Sequence, residues 1–244
     1  PIFSIDEPLG QIFPNIYYEP YEASKINKKN QHVYNMAYTK LNDFKQNYQQ
    51  KNVSKYFDLP IWAKFFAIID TFGSYHGAVT KSVKLYFNPT TQLFEPIMFD
   101  NHLGGRGYLS FSLLDFYSGI ETKNCGFVCS DRDWFESFFK NKSFITEYIK
   151  ALSETLEKLS KGFYLENINE VEKFNNSMYA SLMAADRVFF AAPLLYYFDI
   201  THLDQRSKLL RAKITQLAGY NFSSETNNNF YKDFLYFQKA LKDR

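Results

Sequence analysis

Between Phe57 and Gly107 the chain gathers Asp70, Ser74, His76, Lys81, Asp100, Asn101, His102 and Arg106 among apolar runs. These residue types carry proton transfer, metal binding and anion contact. Asp100 is the foremost candidate. It directly follows Pro96-Ile97-Met98-Phe99, and a carboxylate beside so apolar a run is costly unless it is paired, liganded or open to solvent. His76 lies in Gly73-Ser74-Tyr75-His76-Gly77; an imidazole there can accept a proton or serve as a structural hydrogen-bonding group. Asp70 is a second candidate base, although a carboxylate at a helix end is more commonly structural. His76, Asp100 and His102 together are a mixed nitrogen and oxygen set that would suit Mn2+ or Zn2+ in a metal-dependent hydrolase. Arg106, set between glycines, could contact phosphate, though a surface loop is the commoner setting for such an arginine.

The elements that must position these residues follow from periodicity. Val33, Ala37, Leu41, Phe44 and Tyr48 recur at helical spacing and predict an amphipathic helix over His32–Gln49. Phe57–Asp70, with Pro60 in its first turn, predicts a second helix that is apolar nearly all round and therefore buried. Two aromatic-rich runs flank Asn88-Pro89-Thr90-Thr91 and predict a β-hairpin that delivers Asp100 at its exit. Gly104, Gly105 and Gly107 then mark a loop. Beyond it the pattern is helical. Ser130 and Asp133 suggest a capping box for a helix bearing Trp134, Phe135, Phe138 and Phe139. Ser143 is the expected cap of the next helix, which ends at Gly162. Further stripes are Val171–Leu182 and Leu203–Leu217, the latter ending at Gly219, with a polar loop at Phe222–Asn229. Pro1–Asn30, with Pro8, Pro14 and Pro20, reads as irregular and extended, without strand alternation. The expected class is α+β, mostly α: an N-terminal segment (1–31), a core with the hairpin and the polar cluster (32–129), and a C-terminal helical bundle (130–244).

Composition bounds the function. At 244 residues the chain is long enough to bury a core unaided, and 22% charged with 45% hydrophobic residues is a globular balance. A net charge of +2 gives no electrostatic case for nucleic acid. No apolar run reaches the ~20 residues of a membrane span. Aromatic residues make up 19%, read here as codon bias rather than function. Cys125 and Cys129 could close a small loop in an exported protein or remain two thiols. The chain begins at Pro1 rather than Met, so it is expected to be processed or cut from something longer.

A buried helix, a polar loop, a hairpin and a carboxylate at the hairpin's exit is also how the C-lobe of a kinase is organised. Gly73-Ser74-Tyr75-His76-Gly77, Lys84-Leu85-Tyr86-Phe87-Asn88-Pro89 and Phe94-Glu95-Pro96-Ile97-Met98-Phe99-Asp100 resemble the CotH (spore coat protein H) kinase family over about 50 residues. That resemblance implies an atypical protein-kinase fold that uses ATP and Mg2+ (or Mn2+) to phosphorylate Ser or Thr of a protein substrate. It also implies a place at a cell surface or coat. Carried over by position, Asp100 matches the metal-binding Asp, Phe94 the aromatic that stacks on adenine, and His76 the catalytic Asp. His102 stands where a second acidic ligand belongs, and Lys81 or Ser82 where the metal-assisting Asn belongs. No Gly-rich loop precedes the first helix, as though the N-lobe were missing or upstream. These departures leave a second expectation open: a degenerate kinase-like module for binding or assembly, without catalysis.

Overall fold

The computed structural model describes residues 1–6, 17–20, 24, 26–47, 52–100, 110–119, 125–160, 173 and 200–221. The expected features at His102, Arg106, the Gly104–Gly107 loop, Gly162, the Val171–Leu182 stripe and the Phe222–Asn229 loop all lie outside them.

Within the described residues the protein is α+β and mostly helical. Strands β1 (Ile2–Asp6), β2 (Tyr17–Pro20), β3 (Lys84–Asn88) and β4 (Leu93–Ile97) form one antiparallel sheet in the order β2-β1-β3-β4. The β3–β4 hairpin is the expected one. The N-terminal segment is not merely irregular, however. It adds two strands, and β1 pairs directly with β3, bringing Phe3 opposite Leu85. The alternation that drives this is short: Phe3 and Ile5 are buried while Ile2 and Ser4 are not. Phe3, Ile5, Leu85, Phe87 and Phe94 all go into the core. On the other side of the pleat Lys84 Nζ donates to Ser4 Oγ at 2.9 Å.

The helices are α1 (Gln31–Asn47), α2 (Leu59–Phe72), α3 (Leu114–Ser118), α4 (Arg132–Phe139), α5 (Lys142–Ser160) and α6 (Ile200–Asn221). α2 is the central element. Asp58 caps it by accepting from the Ile61 N–H at 3.2 Å, and Gly73 ends it in the left-handed region at φ +66. Its Trp62, Phe65 and Phe66 are buried, and α5 lies along it. The rings of Phe57, Trp62 and Phe66 meet Trp134, Phe138 and Phe144 from α4 and α5 with centroids 5.0–5.9 Å apart. Such aromatic pairs add roughly 0.5–1.5 kcal/mol each beyond the area they bury. The aromatic excess is therefore the substance of the core.

Two expected caps are corrected. α5 is capped by Asn141, whose Oδ1 accepts from the Phe144 N–H at 3.0 Å, not by Ser143. At the start of α4 the N-cap residue, Asp131, makes no side-chain cap bond. Ser130 Oγ donates instead to Phe127 O at 2.5 Å, and Asp131 reaches away from its own helix. α6 also runs past Gly219 to Asn221.

Candidate functional site

His76 sits on a short 3-10 turn, Tyr75–Ala78, immediately beyond the C-terminal end of α2. Asp100 sits three residues beyond β4. The fold brings them together: His76 Nδ1 lies 2.9 Å from Asp100 Oδ2 and 3.3 Å from the Asp100 carbonyl oxygen. Ser82 Oγ lies 3.3 Å from the same ring nitrogen. The pair is open to solvent, with 19% of the His76 and 42% of the Asp100 side chain exposed. Asp100 takes φ +53 to reach this position, a left-handed conformation that Asp tolerates better than most residues. With Nδ1–H donating to the carboxylate, the lone pair of the ring falls on Nε2, the arrangement of an oriented general base.

The turn that carries His76 is held at several points. Tyr75 Oη donates to Asp70 Oδ1. Trp134 Nε1 donates to Ala78 O at 3.1 Å. Asp131 Oδ2 accepts from both the backbone N–H and the hydroxyl of Thr80, at 2.6 and 3.0 Å. Burial pushes the Asp131 carboxyl above the usual range, with the Thr80 bonds and Lys81 opposing.

Asp70, the other candidate base, is placed quite differently. It is fully buried. Its Oδ2 accepts from Ser112 Oγ at 2.6 Å, Leu113 N at 3.1 Å and Tyr148 Oη at 2.5 Å, while Oδ1 accepts from Arg206 Nη2 at 2.8 Å. This carboxylate fastens α2 to α5, α6 and the start of α3, and among the described residues it meets the His76 turn through Tyr75. Phe94 is also fully buried, ringed by Phe3, Phe57 and Phe87. A ring so covered presents no face to a purine. The Phe94 carbonyl accepts from Trp62 Nε1 at 2.8 Å and Asp58 N at 3.1 Å, which ties β4 to α2.

Among the described residues no three His, Cys, Asp or Glu side chains converge as metal ligands. Asp100 offers one hard carboxylate, part of it engaged by His76. Mg2+ takes one or two carboxylates together with substrate phosphates and water. Among the described residues this donor set fits an ion that arrives on phosphates rather than a preassembled protein cage. A surface groove of about 350 Å3, lined by Asp58, Leu59, Pro60, Leu93 and Glu147 among others, lies at the opposite end of α2 from His76.

Thr80, Asp131, Trp134, Tyr148 and Arg206 were not legible as site supports. One signal existed: Arg206 interrupts the Leu203, Leu210, Ile214, Leu217 stripe at helical spacing, and an arginine on an apolar face demands a buried acid.

The His76–Asp100 pair is thus held at the junction of a small antiparallel sheet and a helical core, on an α+β scaffold. Residues 9–184 match the family model described as CotH kinase protein; the match spans well over half of the chain, which belongs to the CotH kinase family. Comparison with curated proteins and with solved structures gives no match. Among the described residues no helix is long and apolar enough to cross a membrane.

Proposed function

We propose that the protein is a CotH-type phosphotransferase that moves the γ-phosphoryl group of ATP to a Ser or Thr hydroxyl of a protein substrate. The observation that carries this reading is the convergence of His76 and Asp100 at 2.9 Å on a partly exposed edge. His76 Nε2 takes the proton of the acceptor hydroxyl as its oxygen attacks the γ-phosphorus. The bond from that phosphorus to the β–γ bridging oxygen breaks, and ADP leaves with the electron pair. Asp100 orients the ring and stabilises the imidazolium that forms. Mg2+ carried on the phosphates would supply charge neutralisation, and Asp100 is the described residue able to hold it. The Cys125–Cys129 bridge supports a location outside a reducing compartment, at a surface or coat.

One observation favours a second reading, a binding or assembly module without catalysis: the buried ring of Phe94 leaves no adenine platform at that position. The two readings separate in one experiment. The chain, with whatever its coding sequence places before Pro1, is titrated with ATP and Mg2+ while its melting temperature is followed, and phosphate transfer from labelled ATP is measured in parallel. The kinase reading expects an upward shift, by mass action on the native state, and transfer that is lost in Asp100→Asn and His76→Asn. Absence of both shift and transfer leaves the module.

A further inference from the structure

Asp131 occupies the position from which a carboxylate normally caps its own helix. Both a cap bond and the dipole of α4 would favour that. It forgoes the bond and crosses to Thr80, 51 residues earlier, where one oxygen accepts two hydrogen bonds. Thr80 lies four residues after His76 and two before Ser82, and is itself almost fully buried. Three residues further along α4, Trp134 Nε1 grips Ala78 O of the same turn. The 3-10 segment that leads into α4, Gly126–Asp131, also carries Phe127, whose ring meets the His76 ring edge to face at 5.8 Å. The Cys125–Cys129 bridge closes that segment on itself. Three contacts thus run from one covalently closed turn and the helix it starts to the loop that bears His76.

We infer that Asp131 and Phe127 are positioning residues for His76, a brace that fixes the imidazole against Asp100. A carboxylate kept half-buried against its desolvation cost gives its own helix no cap bond in this arrangement; the bonds it makes hold the loop. The inference rests on the catalytic reading of His76 for its consequence, but not for its geometry. A misplacement of about 1 Å at a reacting group can cost on the order of 100-fold in rate, so the consequence is large if the reading holds.

The test uses the full chain with 13C-labelled histidine, the His76 ring resonances being assigned by their loss in His76→Asn. Asp131→Ala should displace or broaden them, because both bonds to Thr80 go. Asp131→Asn keeps an oxygen that can accept both bonds and should restore the wild-type positions. Phe127→Leu keeps the bulk and should move the His76 ring protons by removal of the ring current. In the transfer assay Asp131→Ala should lower turnover at least tenfold with little change in KM for ATP, and Asp131→Asn should recover it. Wild-type His76 resonances in folded Asp131→Ala would overturn the brace, as would equal displacement in the Ala and Asn variants. Should Asp131→Ala fail to fold, unchanged His76 resonances in Phe127→Leu overturn it. Displaced resonances with no transfer activity in any variant, wild type included, would leave the brace standing and overturn the kinase reading alone.

Discussion

Asp70 and Arg206 are both fully buried, and their ion pair is the polar centre of the helical core. Arg206 also donates to the carbonyls of Asp70 and Phe111 and to Tyr75 Oη. A buried pair of this kind is weak evidence for net stability, yet removing one partner strands the other's charge. Asp70→Asn is therefore expected to cost about 3–5 kcal/mol, read as a lower urea midpoint. Asp70→Asn combined with Arg206→Met should cost less than the sum of the single changes, because no charge is then left unpaired. Strict additivity would show that the two do not act as a pair. Asp131 makes the opposite prediction. Its folded pKa is raised by burial, so its contribution is fully present below the unfolded value near 3.9 and is lost as pH rises through the folded value. Asp131→Asn, which removes the titration and keeps the acceptor, should flatten the fall in stability that starts just above pH ~4 and leave the variant at least as stable as wild type at neutral pH. A steeper loss in the variant would contradict this.

At the scale of the element, the caps and turns decide how firmly the site is framed. Asn141→Ala should destabilise by about 1 kcal/mol through loss of the α5 cap, whereas Ser143→Ala should be near neutral. Thermal melts of the two variants distinguish the observed cap from the one the sequence suggests, and equal effects would put the cap in doubt. In the β3–β4 turn, Asn88 Oδ1 accepts from the Thr90 N–H at 3.0 Å and Gln92 takes φ +56. Gln92→Gly relieves a left-handed side-chain conflict, and is expected to raise stability by several tenths of a kcal/mol up to ~1 kcal/mol. The elements that could be read from the sequence are α1, α5 and α6 by their apolar stripes at helical spacing, α2 by its apolar run behind Pro60, α4 by its aromatic cluster after Ser130, and the hairpin by its Asn-Pro-Thr-Thr turn. β1 was missed because its alternation spans only Phe3 and Ile5, among prolines that argue for irregular chain. The His76–Asp100 pair could be proposed from residue types, but its contact depends on a turn after α2 and a strand end meeting in space. Asp131 was hidden because its sequence context is that of a helix start, and nothing local shows that the side chain leaves for Thr80.

At the scale of the whole molecule, burial of hydroxyls and charges ties the fold to pH. Burial is the main cause that raises the Tyr75 and Tyr148 phenols well above the ordinary value, and it pushes Tyr18 up as well. The folded state therefore keeps these protons where the unfolded chain loses them near pH ~10. The sign follows from linkage: with the folded pKa raised, the stabilisation is complete below about pH 10 and falls as pH rises above it, because the unfolded state then binds fewer protons. Each such phenol contributes a slope of about 1.4 kcal/mol per pH unit in that window. A core centred on Tyr75 and Tyr148 should thus give way cooperatively in alkali, and the His76 turn with it, since Tyr75 is its first residue. Followed by phenolate absorbance and circular dichroism together, one set of tyrosines should ionise gradually with the fold intact. A second set, including Tyr18, Tyr75 and Tyr148, should ionise only as the helical signal collapses. Tyr148→Phe removes one of the titrating groups and should make the alkaline decline shallower, even if it lowers stability at neutral pH by loss of the bond to Asp70. Ionisation of every tyrosine near pH ~10 with the circular dichroism unchanged would mean that these hydroxyls are not held in a closed core.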